Sequence, residues 1–204
     1  MSVDADEPAA VLVMKVGYHG NEDIESILSR KRVEEARMGH TFWGYGGTLC
    51  HPLRVVQPFA KHVTESKGTV RVLFSITKSP FQANPDPARF YSTDGVTWLQ
   101  MPEHATVLAS KSALVVNSLR ACNETLILNN YRVAIGPSEG RPLHEYLRFR
   151  VDKAVATLAG PSEQRTSVTL PIQLTADLVS PFAILVSRLR NDETRHPSQT
   201  SLPW

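Results

Sequence analysis

The stretch NEDIESILSRKRVEEARMGHTFWGYGGTLCHP, residues 21–52, decides how this chain is read. Its first half predicts a helix from Asn21 to Met38. Asn21 is placed to cap it, and Glu22, Asp23 and Glu25 fall where the positive end of the helix dipole favours acids. Arg30, Lys31, Arg32 and Arg37 fall in the later turns, where the opposite sign is favoured. Gly39 is the residue type that ends a helix in the left-handed conformation. The apolar face (Ile24, Ile27, Leu28 and Ala36) is thin, so the helix is expected to be half exposed. The second half, His40 to Pro52, crowds three glycines with Phe42, Trp43 and Tyr45 and reads as a tight connection. It leads to a second helix from about Pro52 to Glu65, with Leu53, Val56, Phe59, Ala60 and Val63 on one face and Pro58 as a kink or a reset start. Helices that follow one another, rather than alternating with strands, point to an α+β fold over a doubly wound sheet.

Upstream, residues 1–8 form a polar lead ended by Pro8, expected to be disordered. Val11 to Val16 is an apolar run that predicts a buried strand, and Gly17-Tyr18-His19-Gly20-Asn21 follows as a loop. Downstream, Val70 to Thr77 reads as a strand and Lys78 to Ala88, with three prolines, as a long loop. Arg89 to Leu99 predicts a β-hairpin turning at Asp94-Gly95. The string Ser92-Thr93-Asp94-Gly95-Val96-Thr97-Trp98 resembles the Asp-box hairpin of sialidase-like propellers, one residue shorter and present once. The resemblance covers only these residues and implies a hairpin with a packed Trp98, and no function. No internal repeat is present, which argues against a propeller.

Ala105 to Ala109, Ala113 to Asn117 and Thr125 to Ile135 continue a strand-rich part, with Asn129-Asn130 as a tight turn. Pro142 to Ala159 is read as a helix, because Leu143, Tyr146, Leu147, Val151, Ala154, Val155 and Leu158 recur at helical spacing between Pro142 and Gly160-Pro161. The competing reading is a strand through Leu147–Val151, which alternates. Ser167 to Thr175 and Phe182 to Leu189 predict two further strands, and the residues from Asn191 onward a mobile tail. The expectation is one α+β domain over residues 9–190, with a strand-rich mixed or antiparallel sheet and about three helices.

With 204 residues, 42% apolar and 21% charged, the chain can bury a core without disulfide or metal staples. Two cysteines, Cys50 and Cys122, are too few for a disulfide framework and are expected to be thiols. No apolar run reaches the roughly 18–20 residues of a membrane span, and the acidic N-terminus lacks the basic region of a signal peptide. A cytoplasmic protein with no membrane partner is expected. Residues 1–25 hold six acids and one base, a net of −5. Residues 26–165 hold 18 Lys/Arg and 11 Asp/Glu, a net of +7, so the middle of the chain can offer a basic face to an anion.

The segment most suggestive of chemistry is 40–52. Trp43 and Tyr45 are ring systems of the kind that stack on bases, and Gly46 and Gly47 permit close backbone approach to a ligand. Arg32 and Arg37, on the helix leading into it, can pair with phosphates, and His40 stands between them. The first reading is therefore a nucleotide or short nucleic-acid ligand, or another small anion, held by Arg32, Arg37, His40, Trp43, Tyr45, Gly46 and Gly47. Any cofactor is left open. The segment is not a P-loop, since no Gly-Lys-Ser/Thr follows. A second reading is a small hydrolase or transferase using His19, His40 or Cys50. A thiolate needs a base beside it, and His51, adjacent in sequence, is a poor one, which leaves His40, His19 or His104. A third reading is a non-catalytic interaction module with an aromatic hot spot. His40, Cys50, His51 and His62 form a loose cluster without the spacing of a metal site.

Overall fold

The computed structural model describes residues 7–19, 22–46, 51–81, 86–108, 110–148, 151–161 and 166–189. Helix α1 spans Ile24–Met38. Its N-cap is Asp23, whose carboxylate accepts from Ser26 N at 2.7 Å, while the expected cap, Asn21, lies outside the described residues. Gly39 ends it at φ 75°, its N–H donating to the Glu35 carbonyl at 2.8 Å. The buried positions of α1 are Ile27, Lys31 and Glu34. The thin apolar face is thus completed by charge, not by more carbon. Helix α2, Leu53–Glu65, buries Val56 and Ala60 as its spacing predicts and carries Pro58 inside it.

The strands are β1 Ala10–His19, β2 Thr41–Tyr45, β3 Val70–Phe81, β4 Phe90–Ser92, β5 Leu99–Gln100, β6 Ser112–Ile127, β7 Tyr131–Val133, β8 Lys153–Leu158 and β9 Thr169–Ser187. They form one sheet in the order β2-β6-β9-β3-β1-β8-β7, with β4 added to β9 and β5 to β4. β1 and β3 are parallel, and every other pairing among the described residues is antiparallel. With the short helix α3, Leu143–Tyr146, this is a single α+β domain built on a mixed sheet.

Several expectations are corrected. Residues 105–108 form no strand beyond an isolated bridge at Leu108, residues 17–19 continue β1, and residues 78–81 continue β3. The glycine-aromatic segment is not wholly a connection, because Thr41–Tyr45 is a strand at the edge of the sheet, in register with Val116–Ser112 of β6. Residues 142–159 are not one helix. α3 stops after one turn, and β8 follows with Ala154, Val155 and Ala156 all buried, a strand covered on both faces and so without a clean alternation. Ser167–Thr175 and Phe182–Leu189 belong to one long strand, β9. The Asp94-Gly95 hairpin forms as expected, with Phe90 opposite Gln100 and Tyr91 opposite Leu99. Asp94 Oδ1 accepts from Ser92 Oγ and from the N–H groups of Val96 and Thr97, which holds its pKa well below the usual carboxylate range. Trp98 is half-buried there.

The sheet is strongly curled. Trp43 on β2 and Phe74 on β3 have ring centroids 4.4 Å apart, although three strand spacings, roughly 14 Å on a flat sheet, separate their strands in the ladder. The β6–β9 ladder bends to allow this, shifting register three times between Leu114 and Glu124. The concave face holds the main core: Leu12, Met14, Val72, Phe74, Leu114 and Leu174, with Ile27 of α1 and Val56 and Ala60 of α2 closing it. The other face carries two clusters. One lies around Val11, Val13, Tyr131, Leu143 and Ile172. The other lies under residues 88–107, around Phe42, Met101, Val107, Val115 and Ile184. Glu7 and Pro8, placed by sequence in the disordered lead, are tied down by Asn130 Nδ2 and the Tyr131 hydroxyl. Among the described residues no helix is long and apolar enough to cross a membrane.

Two glycines separate backbone need from coincidence. Gly39 occupies the left-handed region, where a side chain costs about 1–2 kcal/mol. Gly46 does not, and nothing lies within 4 Å of where its Cβ would stand. Gly39→Ala is therefore expected to lower stability by about 1–2 kcal/mol, whereas Gly46→Ala leaves it unchanged or raises it by about 0.4–1 kcal/mol. Urea denaturation of both variants checks this.

Candidate functional site

The most connected polar group on the described surface-to-core boundary is the carboxylate of Glu34, on α1 and 1% exposed. Its Oε2 accepts from Lys31 Nζ at 2.8 Å and from Thr41 Oγ1 at 2.5 Å. Its Oε1 accepts from Thr106 N at 3.0 Å and from Arg30 Nη1 at 3.3 Å. Lys31 Nζ and Arg30 Nη1 both donate to the Thr106 carbonyl, and Arg30 forms a second ion pair with Glu22 at 2.5 Å. Glu34 has donors on both oxygens and Lys31 has two acceptors, which is what lets charge persist in the interior. Burial pushes the Lys31 amine down to about 8, with the Glu34 carboxylate opposing that fall. The network joins α1 to β2 and to the segment that carries residues 103–106.

A second acid on the same helix works in parallel. Glu35 accepts from the backbone N–H groups of Ser118 and Leu119, where β6 is irregular and Ser118 has φ 54°. Helix α1 is therefore fixed to the sheet by two adjacent carboxylates that take backbone donors from different strands or loops.

Between α1 and residue 104 lies an open cleft of about 490 Å³. Ser26, Ser29, Arg30, Val33 and Arg37 line it from α1, Glu34 forms its floor, and His104 contributes from the facing segment. The helical spacing of these residues places them on one stripe. Arg37 Nη1 donates to His104 Nδ1 at 2.8 Å. The same Nη1 lies 3.2 Å from His104 Nε2, and a guanidinium, having no lone pair, can only donate to the ring. Val33 is half exposed in the middle of the stripe, at 50%. The cleft thus offers Arg37 and an imidazole at one end, hydroxyls toward the other, an apolar patch between them, and Arg30 paired with Glu22 and Glu34.

The structure divides the residues singled out by sequence. Arg37 is on the cleft. Arg32 is exposed and does not line it. Trp43 and Tyr45 are not offered to a ligand: they are 6% and 2% exposed and belong to the main core. Trp43 packs on Phe74, and the Tyr45 hydroxyl donates to the His51 carbonyl at 2.6 Å. Alternation along β2 is the reason, since it turns both rings to the concave face and Phe42 to the other. His40 is half-buried and meets Phe42 edge-on at 5.3 Å. Gly46 follows β2 with open space around it. Gly47 and Cys50 lie outside the described residues, as does the side chain of His19. His51 is buried inside the fold, and His62 is exposed on α2. Cys122 is half-buried, its thiol pKa raised by burial. Among the described residues no group of three or more His, Cys, Asp or Glu is placed to hold a metal ion.

Sequence reasoning missed Ser26, Ser29 and Glu34, and named His104 only as a base for Cys50. The two serines and Glu34 share a helical stripe with Arg30 and Arg37, a signal present in the spacing. Nothing local places His104 beside Arg37, which it approaches from 67 residues away.

Breaking a buried ion pair by removing one partner costs far more than replacing both. Glu34→Ala is expected to destabilise the protein by about 3–5 kcal/mol. Joint replacement, Lys31→Met with Glu34→Leu, is expected to cost clearly less than Glu34→Ala alone. Denaturant midpoints of the two variants decide between this account and one in which the pair is peripheral.

Compared with known proteins, the chain matches no family model, no curated protein and no solved structure.

Proposed function

We propose that this protein binds a small phosphate-bearing ligand of the nucleotide class in the cleft along α1. The observation that carries the reading is the meeting of Arg37 and His104 across the cleft, at 2.8 Å. A guanidinium presents several donors in a fixed plane, the geometry that phosphate oxygens accept from. The volume, about 490 Å³, falls in the range of small-molecule sites. Val33 gives a ring or sugar an apolar surface, and Ser26 and Ser29 give its hydroxyls partners. Stacking on Trp43 or Tyr45 forms no part of the reading.

The cleft is also prepared in advance. Glu34 and Lys31 hold Thr106, and so hold His104 two residues away, before any ligand arrives. Binding then costs less ordering entropy than it would with a loose segment.

Calorimetric titration with nucleoside mono- and diphosphates, the matching nucleosides and inorganic pyrophosphate tests the reading. Phosphorylated ligands are expected to bind, and to weaken as salt is raised. Arg37→Ala is expected to cost about 1.5–3 kcal/mol of binding, the scale of a hydrogen bond to a charged group. Arg32→Ala, off the cleft, is expected to cost little. Equal binding of nucleosides and nucleotides, or equal losses for the two arginines, would contradict the reading.

A further inference from the structure

His51 stands where the chain leaves β2 for α2, and it is 5% exposed. Its ring Nδ1 accepts the backbone N–H of Val155 on β8 at 3.0 Å. Its Nε2 lies 3.1 Å from the hydroxyl of Tyr146 on α3, with the two rings stacked at 5.4 Å. Its carbonyl accepts the Tyr45 hydroxyl of β2. One residue therefore ties four elements, two of which, β2 and β8, are five strand steps apart along the ladder.

The hydrogen bonds set the ring's protonation. Val155 N–H is a donor, so Nδ1 must offer a lone pair, and the ring proton sits on Nε2, donating to the Tyr146 oxygen. Only the neutral ring fits. A second proton would set Nδ1–H against Val155 N–H, donor against donor, in a site closed to water. The groups that face the ring give the cation no help. Tyr146 from α3 stacks on the ring, Tyr45 from β2 meets the residue's carbonyl, and Lys153 from β8 has its Nζ 5.9 Å from the Tyr45 ring centroid. Arg54 of α2 and Glu145 of α3 are exposed. Burial alone holds the ring's pKa below the ordinary histidine value.

We propose that His51 is a proton-operated latch. When neutral, it clasps β8 and α3 to the junction of β2 and α2, and on protonation it lets them go. The sign follows from linkage. The folded pKa is depressed below the unfolded value of about 6.5, so the latch's contribution is complete above about pH 6.5. It is lost as pH falls through the window between the unfolded and folded values, and the unfolding equilibrium constant rises there by up to about tenfold per pH unit. Acidification by one or two units would thus loosen one specific seam of the fold.

The test uses the full chain. Nitrogen-15 spectra of the histidines are recorded near pH 7.5, amide exchange of Val155 is measured near pH 7.5 and 5.5 with the intrinsic rate divided out, and urea unfolding is followed across the same range. The proposal expects His51 Nδ1 to be unprotonated at the higher pH, and Val155 to lose protection at the lower. His51→Asn supplies an acceptor oxygen that cannot take up a proton, and its unfolding is expected to lack the wild-type dependence in this window. A protonated Nδ1 near pH 7.5, or unchanged Val155 protection, overturns the latch even if that variant fails to fold. A folded His51→Asn protein that keeps the full wild-type pH dependence overturns it as well.

Discussion

The carboxylate of Glu34 is the constraint on which the arrangement around α1 depends. It takes four donors from three parts of the chain: Lys31 and Arg30 on its own helix, Thr41 at the start of β2, and Thr106 on the facing segment. An acid so deep is unfavourable unless every acceptor site is filled. Helix, edge strand and facing segment are therefore held to one geometry: displacing any of them leaves charge or a backbone donor unpaired. The apolar contribution of α1 is small, with Ile27 its only buried apolar residue. Its position is set by polar specificity, and α2, with Val56 and Ala60 in the core, is set by packing.

The curl of the sheet makes this placement possible. Bringing β2 over the concave face buries Trp43 and Tyr45 and points the end of β2 toward β8. It also lays the start of β2, with Thr41, beneath Glu34. The aromatic residues that make the 40–52 segment conspicuous thus serve the core. The exposed stripe one turn further back along α1 is what remains for a ligand.

Much of the fold was legible where local chemistry is decisive. The left-handed Gly39 ends α1, the apolar spacing frames α2, and Asp94-Gly95 marks its hairpin. What was hidden depends on distant partners. β2 is five residues long and includes Gly44, so its alternation of Phe42 against Trp43 and Tyr45 is easily taken for a loop. Its strand identity comes from β6. The apolar positions of 142–159 satisfy helical spacing because β8 is buried on both faces. Of the site, Arg37 was visible in the basic run. Lys31 and Glu34 look in sequence like an ordinary surface pair three residues apart, and only Thr41 and Thr106 reveal that they are interior. Sequence reasoning names His104 only as a base for Cys50, and nothing local places it beside Arg37.

The central claim is that the α1 cleft, fixed by Glu34, is where a ligand binds. Backbone amide spectra of the full chain titrated with ADP test it most directly, since they report location without presuming which contacts matter. The account predicts that shifts concentrate at Ser26, Ser29, Val33 and Arg37 and at His104 and Thr106 across from them. Shifts confined to Tyr45, Gly46 and His51, with the α1 stripe unmoved, would contradict it.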